Sequence, residues 1–599
     1  MSDNENAPDT QMKDDVVPGE IKRIEPFPTA IQDWLGVPLT VAERQMVAFM
    51  GSITDKPDWQ RKIEDSSIRE KWRKELDGMP HTSHNGADTF ISPPEAFDHC
   101  MAELADYAKC SEKHEFLPGL DATATIYKSD ALVSNELRQR LLGASAKLED
   151  SQASDPDWHP GSDNTVLDLV HPSLFPLVYG RTPVMKEPIT SLRDIVYYTG
   201  LGSPIAGPGD VEEDRDLGSF YYPYESGSFS DRFQWLPCEV AVGQDGHAKI
   251  TSYINNLLPE THTDLYEAIE EVIARSLPVL SATLVSTRET GRLPRISVGS
   301  GEDIEWTPAK PKIEDFEPDQ NDDDGDDAYE RFDAEMDNWR DASSAPSCPP
   351  PATYSGRARN PADFFKKFDL QRDFASQGLQ FIVKLANIVL TPNKPKYAGG
   401  SWHVEGQMNE HICATALFYY DCDNITDSHL AFRESLSTDF DVWSYEQSEY
   451  QHHEILYDIE NEGPPEQRLG SVLTQQGRLL TFPNVMQHRV EPFELDDKTR
   501  PGHRKILALF LVDPYLRIPS TATVPPQQKH WWTEMVQNLD KIADLPPEMV
   551  EHVLENSGDF PIDMKEAKTL RAELMEERSA WQSEVDDKLY EDRFCFCEH

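Results

Sequence analysis

Residues 397–411 read YAGGSWHVEGQMNEH, and the fold turns on whether His403 and Glu405 within them act as a pair. Composition alone argues nothing. With 18 His and 107 Asp plus Glu in 599 residues, an acid two places after a His is expected about three times. It occurs three times, at His262/Asp264, His403/Glu405 and His452/Glu454. Local structure separates them. On a strand, residues i and i+2 share a face and can bind one cation; on a helix they point about 200° apart. His403 follows a strand-like run and a Gly-Gly pair, whereas His262 opens the helical pattern THTDLYEAIEEVIARSL. The first pair can chelate and the second cannot.

A third ligand must come from elsewhere. The candidate is His488 in GRLLTFPNVMQHRVEPF, where a strand meets a turn at Pro483-Asn484 and a new strand begins. Two imidazoles and one carboxylate with open positions form the facial triad of non-haem Fe(II) oxygenases. The next run, GHRKILALFLVDP, opens with Arg504. An arginine in the same cavity offers a two-pronged fork for a carboxylate. Period-two phasing puts Ala508 and Phe510 on the face of Arg504 and Lys505 on the other, with Arg500 in the preceding loop.

The order His-x-acid, distant His, then Arg on a following strand resembles the double-stranded β-helix of Fe(II)/2-oxoglutarate dioxygenases. The blocks DLVHPSLFPLVYGRT, FQWLPCEV, ITSYINN, WHVEGQMNEHICATALFYYD, RPGHRKILALFLVDP and the terminal FCEH resemble the fungal family known as domain of unknown function 4246. The resemblance implies an oxygenase-like core but no substrate. It implies Fe(II) bound by His403, Glu405 and His488, with 2-oxoglutarate as cosubstrate anchored by Arg504. Glu405 stands where Asp is commoner, so an extra methylene must be accommodated. In this fold four strands separate the two halves of the triad. At roughly 5–6 residues per strand, the chain from Glu454 to His488 is too short for them. Tyr397 and Asn387 are open either to a hydrogen bond with 2-oxoglutarate or substrate, or to ordinary packing. Lys384 is open to lining the pocket, with a solvent-facing position the better default, and His411 is expected to pack behind the ligands.

The resulting expectation is an α+β protein with a jelly-roll (double-stranded β-helix) core. Residues 1–18 form a disordered tail, 19–228 a mostly helical N-terminal region, 229–525 the oxygenase-like domain and 526–599 a helical C-terminal segment. Within the core domain, residues 302–358 are an acidic, Ser/Pro-rich insertion, largely without fixed structure. Its DQNDDDGDD stretch lacks the spacing and terminal Glu of a calcium loop. Thr40 and Glu43 form a capping box, and Gln244-Asp245-Gly246 marks a hairpin.

A formal charge of −51 repels phosphate backbones, so nucleic-acid backbone binding is not expected, and a neutral or cationic substrate is tolerated. None of the eight cysteines forms a CxxC pair, and the terminal Cys597 and His599 read as a tail. Scattered thiols and a polar, acidic N-terminus suggest an intracellular protein, cytosolic or nuclear, with no membrane span. Two rival functions stand beside the oxygenase: a non-catalytic interaction or scaffold protein, and a cupin-type metal-dependent hydrolase or isomerase. A hydrolase has no need of a cosubstrate anchor at Arg504.

Overall fold

The computed structural model describes residues 26–30, 34–79, 92–208, 228–288, 294–299, 304–316, 326–341, 345–356, 365–438, 443, 445, 450–539, 546, 548–549, 552, 560–591 and 593–596. The expected tail at 1–18, and Cys597 and His599, lie outside them. In chain order the principal elements are α1 (Val41–Thr54), α2 (Ala96–His114), β1 (Leu117–Asp121), β2 (Thr125–Ser129), α3 (Asn135–Gln152), β3 (Val166–Val170), β4 (Cys238–Val242), β5 (Ala248–Ile250) and α4 (Thr263–Arg288). There follow β6 (Leu379–Leu390), β7 (Ile412–Asp423), β8 (His429–Ser435), β9 (Glu466–Leu473), β10 (Leu479–Pro483), β11 (Gln487–Val490), β12 (Gly502–Val512) and α5 (Met564–Glu591).

Helices and antiparallel sheets are mixed. The larger sheet has nine strands in the order β1-β2-β10-β7-β12-β6-β4-β5, with β3 also paired to β6. A smaller sheet runs β9-β8-β11. The strand β12 shows why these residues build a middle layer. Leu507, Leu509 and Leu511 enter one core, beneath α3 and α4, with Val383, Leu385 and Phe418. Ala508, Phe510 and Val512 enter a second core with Phe432, Leu469 and Phe482, some of them from the smaller sheet. Both faces are covered, so the strand reads as a continuous apolar run and not as an alternation.

The N-terminal region is less helical than expected. It donates β1 and β2 to the sheet edge at β10, and β3 pairs with β6. The β-branched and aromatic residues of Thr125-Ile126-Tyr127 favour a strand, and the partner strand comes from far along the chain. The hairpin expected at Gln244–Gly246 joins β4 and β5. At α1, Thr40 accepts from the Glu43 amide as expected, at 3.1 Å. Glu43 does not reach back. Its carboxylate accepts from the Arg295 and Ile296 amides and the Arg295 guanidinium, where a buried cation outcompetes the box. In the acidic stretch, Asp326–Asp341 forms a helix. Phe332, Met336 and Trp339 recur at helical spacing, and Trp339 packs on Trp306 at 4.9 Å. No helix among the described residues is long and apolar enough to cross a membrane.

Candidate metal centre

The chain leaves β6, turns, and passes close beside β11. Gly399 has φ +96°, and a Cβ there would meet the Val490 carbonyl at 3.0 Å. Gly406 has φ +72°, and its Cβ would strike Ile412 at 2.9 Å. Glycine permits both the backbone and the approach. Between them, His403 makes an isolated antiparallel bridge with His488 instead of the longer strand expected. The amide of each donates to the carbonyl of the other, at 3.1 and 2.9 Å. Directly bridged residues share a face, so the two rings lie side by side, 4.4 Å apart.

Glu405 is set by Asn484, a positioning residue not singled out from sequence. The Asn484 Oδ1 accepts from the Glu405 amide at 3.0 Å, and its Nδ2 donates to the carbonyls of Glu405 (2.9 Å) and Ile412 (3.0 Å). Asn484→Ala would leave three backbone groups unpaired, a cost of about 1–3 kcal/mol. A lower denaturant midpoint with weaker metal binding is the expected outcome, read by urea titration and metal titration.

The Glu405 Oε1 lies 3.3 Å from His488 Nε2 and 3.9 Å from His403 Nε2. Ligand atoms of all three residues fall within 4.8 Å of one another. His403 Nδ1 bonds the Ser401 carbonyl at 2.9 Å, which makes Nδ1 the donor and turns the Nε2 lone pair toward the site. The His403 side chain is 41% exposed, and desolvation of the rest of the ring, then the neighbouring His488, pushes its pKa down. Burial opposes ionisation of Glu405, but the His488 hydrogen bond and the charges of His403, His488 and Lys384 override it and hold it at about 2. Neutral imidazole beside ionised carboxylate is the protonation state a cation requires.

Arg504 is fully buried on β12. Its Nη1 donates to the Ser428 and Thr474 hydroxyls, and its guanidinium lies over the rings of Tyr419 (5.3 Å) and Phe493 (5.1 Å). Its Nε and Nη2 are buried without partners, and no carboxylate pairs with it among the described residues. Tyr397 packs tilted against Phe493, ring centroids 5.3 Å apart, feels the charge of Arg504, and lines the cavity beside His403. Lys505 faces the other way, paired with Glu149 at 2.8 Å, and Arg500 pairs with Asp423 in an exposed loop.

Two expectations are corrected. Asn387 sits opposite Lys505 across the β6–β12 ladder, so it shares the Lys505 face, turned away from Arg504. Its carbonyl accepts from Tyr420, at 3.4 Å, and it is withdrawn as a cosubstrate contact. Lys384 does not face solvent. It sits opposite Ala508, on the inward face, and lines the cavity. His411 packs against Phe229 and lies outside the triad. His452 and Glu454 lie on the helix Gln451–Tyr457, where i and i+2 diverge.

A second cluster, His159, Asp168 and His171, has no His-x-acid spacing. His159 Nδ1 lies 2.8 Å from Asp168 Oδ2, and His171 completes a group within 4.8 Å. The Asp-x-x-His spacing in DLVHP was its signal. Arg571 approaches Asp168 to 3.7 Å, and Lys384 acts on both Asp168 and His171. Lys384 acts on the triad as well, so it is Arg571, resident beside Asp168, that opposes a metal ion at this cluster. His159 and His171 line the same cavity as the triad, of about 890 Å³, whose far wall is α5.

A family model described as "Protein of unknown function (DUF4246)" matches residues 94–535, and one for the "Domain of unknown function DUF4246, N-terminal" matches residues 6–75. No curated protein matches. Among solved structures, the chain is similar to IDO from Bacillus thuringiensis at 12% identity, covering 25% of this chain and 52% of that one, with a TM-score of 0.16. An Fe(II)/(alpha)ketoglutarate-dependent dioxygenase, TqaL, matches at 14% identity, covering 31% and 53%, with a TM-score of 0.15. A bsmA homolog from Methylobium petroleophilum matches at 13% identity, covering 28% and 56%, with a TM-score of 0.16. The chain thus spans about half the length of these structures, and likeness this slight carries no argument.

Proposed function

This chain belongs to the DUF4246 family, and on that footing we propose that it is an Fe(II)- and 2-oxoglutarate-dependent oxygenase, most simply a hydroxylase. The carrying observation is the convergence of His403, Glu405 and His488 at one point, fixed by the backbone bridge between the two histidines. The sheet order supports a double-stranded β-helix: β10-β7-β12-β6 in one sheet and β9-β8-β11 in the other, extended by the His403 bridge.

The donor set fits Fe(II). Two imidazole nitrogens and one carboxylate oxygen occupy one side of a site, leaving positions open toward the cavity. Fe(II), when bound, would supply O2-dependent oxidation of the substrate coupled to conversion of 2-oxoglutarate to succinate and CO2. His403 and His488 would hold it as neutral ligands, and Glu405 as an anion. Arg504 would take the far carboxylate of 2-oxoglutarate through Nε and Nη2, while Ser428 and Thr474 hold its Nη1 in place. Tyr397 and Phe493 would wall off water between that anchor and the metal.

Arg504 also weighs against the rivals. A buried, unpaired guanidinium is costly, and neither a scaffold nor a cupin-type hydrolase has a use for it. Anaerobic titration of the purified chain should give one Fe(II) and one 2-oxoglutarate per molecule. Fe(II) binding without any 2-oxoglutarate binding would move the assignment to a hydrolase or isomerase.

A further inference from the structure

The chain carries a formal charge of −51, yet four cations line the cavity: Lys384, Arg433, Arg489 and Arg578. Among the described residues, two carboxylates, Glu405 and Asp586, line it with them. Arg433 is neutralised by Glu466 at 2.5 Å and Asp586 at 3.2 Å. Arg578 is paired too but keeps spare donors, and Lys384 feels the Glu405 and Asp168 carboxylates without a direct ion pair to either. Lys384 and Arg489 have no carboxylate partner among the described residues, and the Arg489 Nε is buried without a hydrogen bond. Arg578 gives Nη2 to the buried Glu410 at 2.6 Å, which leaves Nε and Nη1 buried and unpartnered. Buried donors of this kind normally find acceptors.

Their surroundings are aromatic. The Arg489 guanidinium lies 4.5 Å over Trp402, and that of Arg578 lies 4.0 Å over Trp235, which also lines the cavity. Trp581 adds a third indole from α5. The cavity, about 890 Å³, is within the size of small-molecule sites, roughly 300–1,000 Å³. It is far larger than 2-oxoglutarate needs, and Arg504 sits behind its lining, next to Phe493 and close enough for its charge to reach Tyr397.

We infer that this cavity binds a small organic anion, a carboxylate or phosphate ester with a flat apolar body, and that this anion is the substrate. Arg489 and Arg578 hold the charged group by charge-assisted hydrogen bonds, and the indoles cover the body. Lys384 draws the anion toward the triad. The local field of the cleft thus overrides the neutral or cationic preference suggested by net charge. Only the word "substrate" rests on the oxygenase reading; the binding does not.

The test uses the full chain without metal, titrated calorimetrically with indole-3-acetate and phenyl phosphate, and with the neutral indole-3-acetamide and phenol as their counterparts. At least one anion should bind about tenfold or more tightly than its neutral counterpart. Arg489→Gln and Arg578→Gln should each weaken that anion by about tenfold and leave the neutral compound unchanged. Arg489 has no structural ion pair among the described residues, so its variant remains informative if loss of the Arg578–Glu410 pair disturbs folding. Lys505→Ala, on the opposite face of β12, should bind the anion as the wild type does. Which probe binds distinguishes carboxylate from phosphate ester. Equal affinity for acid and amide, an unaffected Arg489→Gln, or no binding of either anion at about 10 mM, a free energy weaker than about −3 kcal/mol, overturns the inference. Anion binding in a chain that takes up no Fe(II) would sink the oxygenase reading and leave the anion site standing.

Discussion

His403→Ala abolishes stoichiometric Fe(II) binding, and so does His488→Ala. Each removes one of two neutral nitrogen donors, and the remaining pair, one imidazole and Glu405, cannot enclose one face of the ion. The two variants should differ in stability. The His403 side chain is 41% exposed, and its link to His488 is through the backbone, which alanine retains. His488 is buried against Phe432 and Phe482, so His488→Ala also opens a cavity. It should cost about 1–3 kcal/mol of stability, where His403→Ala costs less than about 0.5 kcal/mol. Fe(II) uptake under anaerobic conditions, with circular dichroism to establish folding, checks both. One tight equivalent of Fe(II) in the folded double variant would show that the metal, if any, binds elsewhere.

Arg504→Ala should weaken 2-oxoglutarate binding by roughly ten- to two-hundredfold while Fe(II) binding persists. A charge-assisted, two-pronged contact is worth about 1.5–3 kcal/mol, and leaving the cosubstrate carboxylate unpaired adds a desolvation cost. The buried and unpartnered Nε and Nη2 of Arg504 are the donors that would be lost. Lys505→Ala is the internal control. Its ammonium pairs with Glu149 on the opposite face of β12, so its removal should leave 2-oxoglutarate affinity within about twofold. Equilibrium dialysis of labelled 2-oxoglutarate against both variants reads the difference. Equal affinity in the wild type and Arg504→Ala would remove the anchor.

What could be read from sequence depended on how local the cause was. The phasing of Arg504 against Lys505 is legible because alternation along one strand decides it. The same rule, applied to β6, places Lys384 and Asn387 on opposite faces, but which face is inward depends on the ladder with β12. That register is a long-range fact, and without it the sequence leaves Asn387 open and gives Lys384 no reason to face inward. The strands β1 and β2 were missed for a similar reason: their place is set by β10, far along the chain. Glu43 shows tertiary structure overriding a local rule, since Arg295 claims the carboxylate that a capping box would use. The cationic cleft was invisible to composition, because a net charge sums over the surface and says nothing of which residues converge.

The most direct test of the oxygenase assignment is succinate formation by the purified chain. Fe(II) and 2-oxoglutarate are loaded without oxygen, O2 is then admitted, and succinate is measured against time. With ascorbate present to supply the two electrons that a substrate would otherwise give, O2-dependent succinate is expected in the wild type, at a rate lost in His403→Ala and strongly reduced in Arg504→Ala at limiting 2-oxoglutarate. Fe(II) and 2-oxoglutarate bound at one equivalent each, with no succinate above the His403→Ala background, would contradict the assignment.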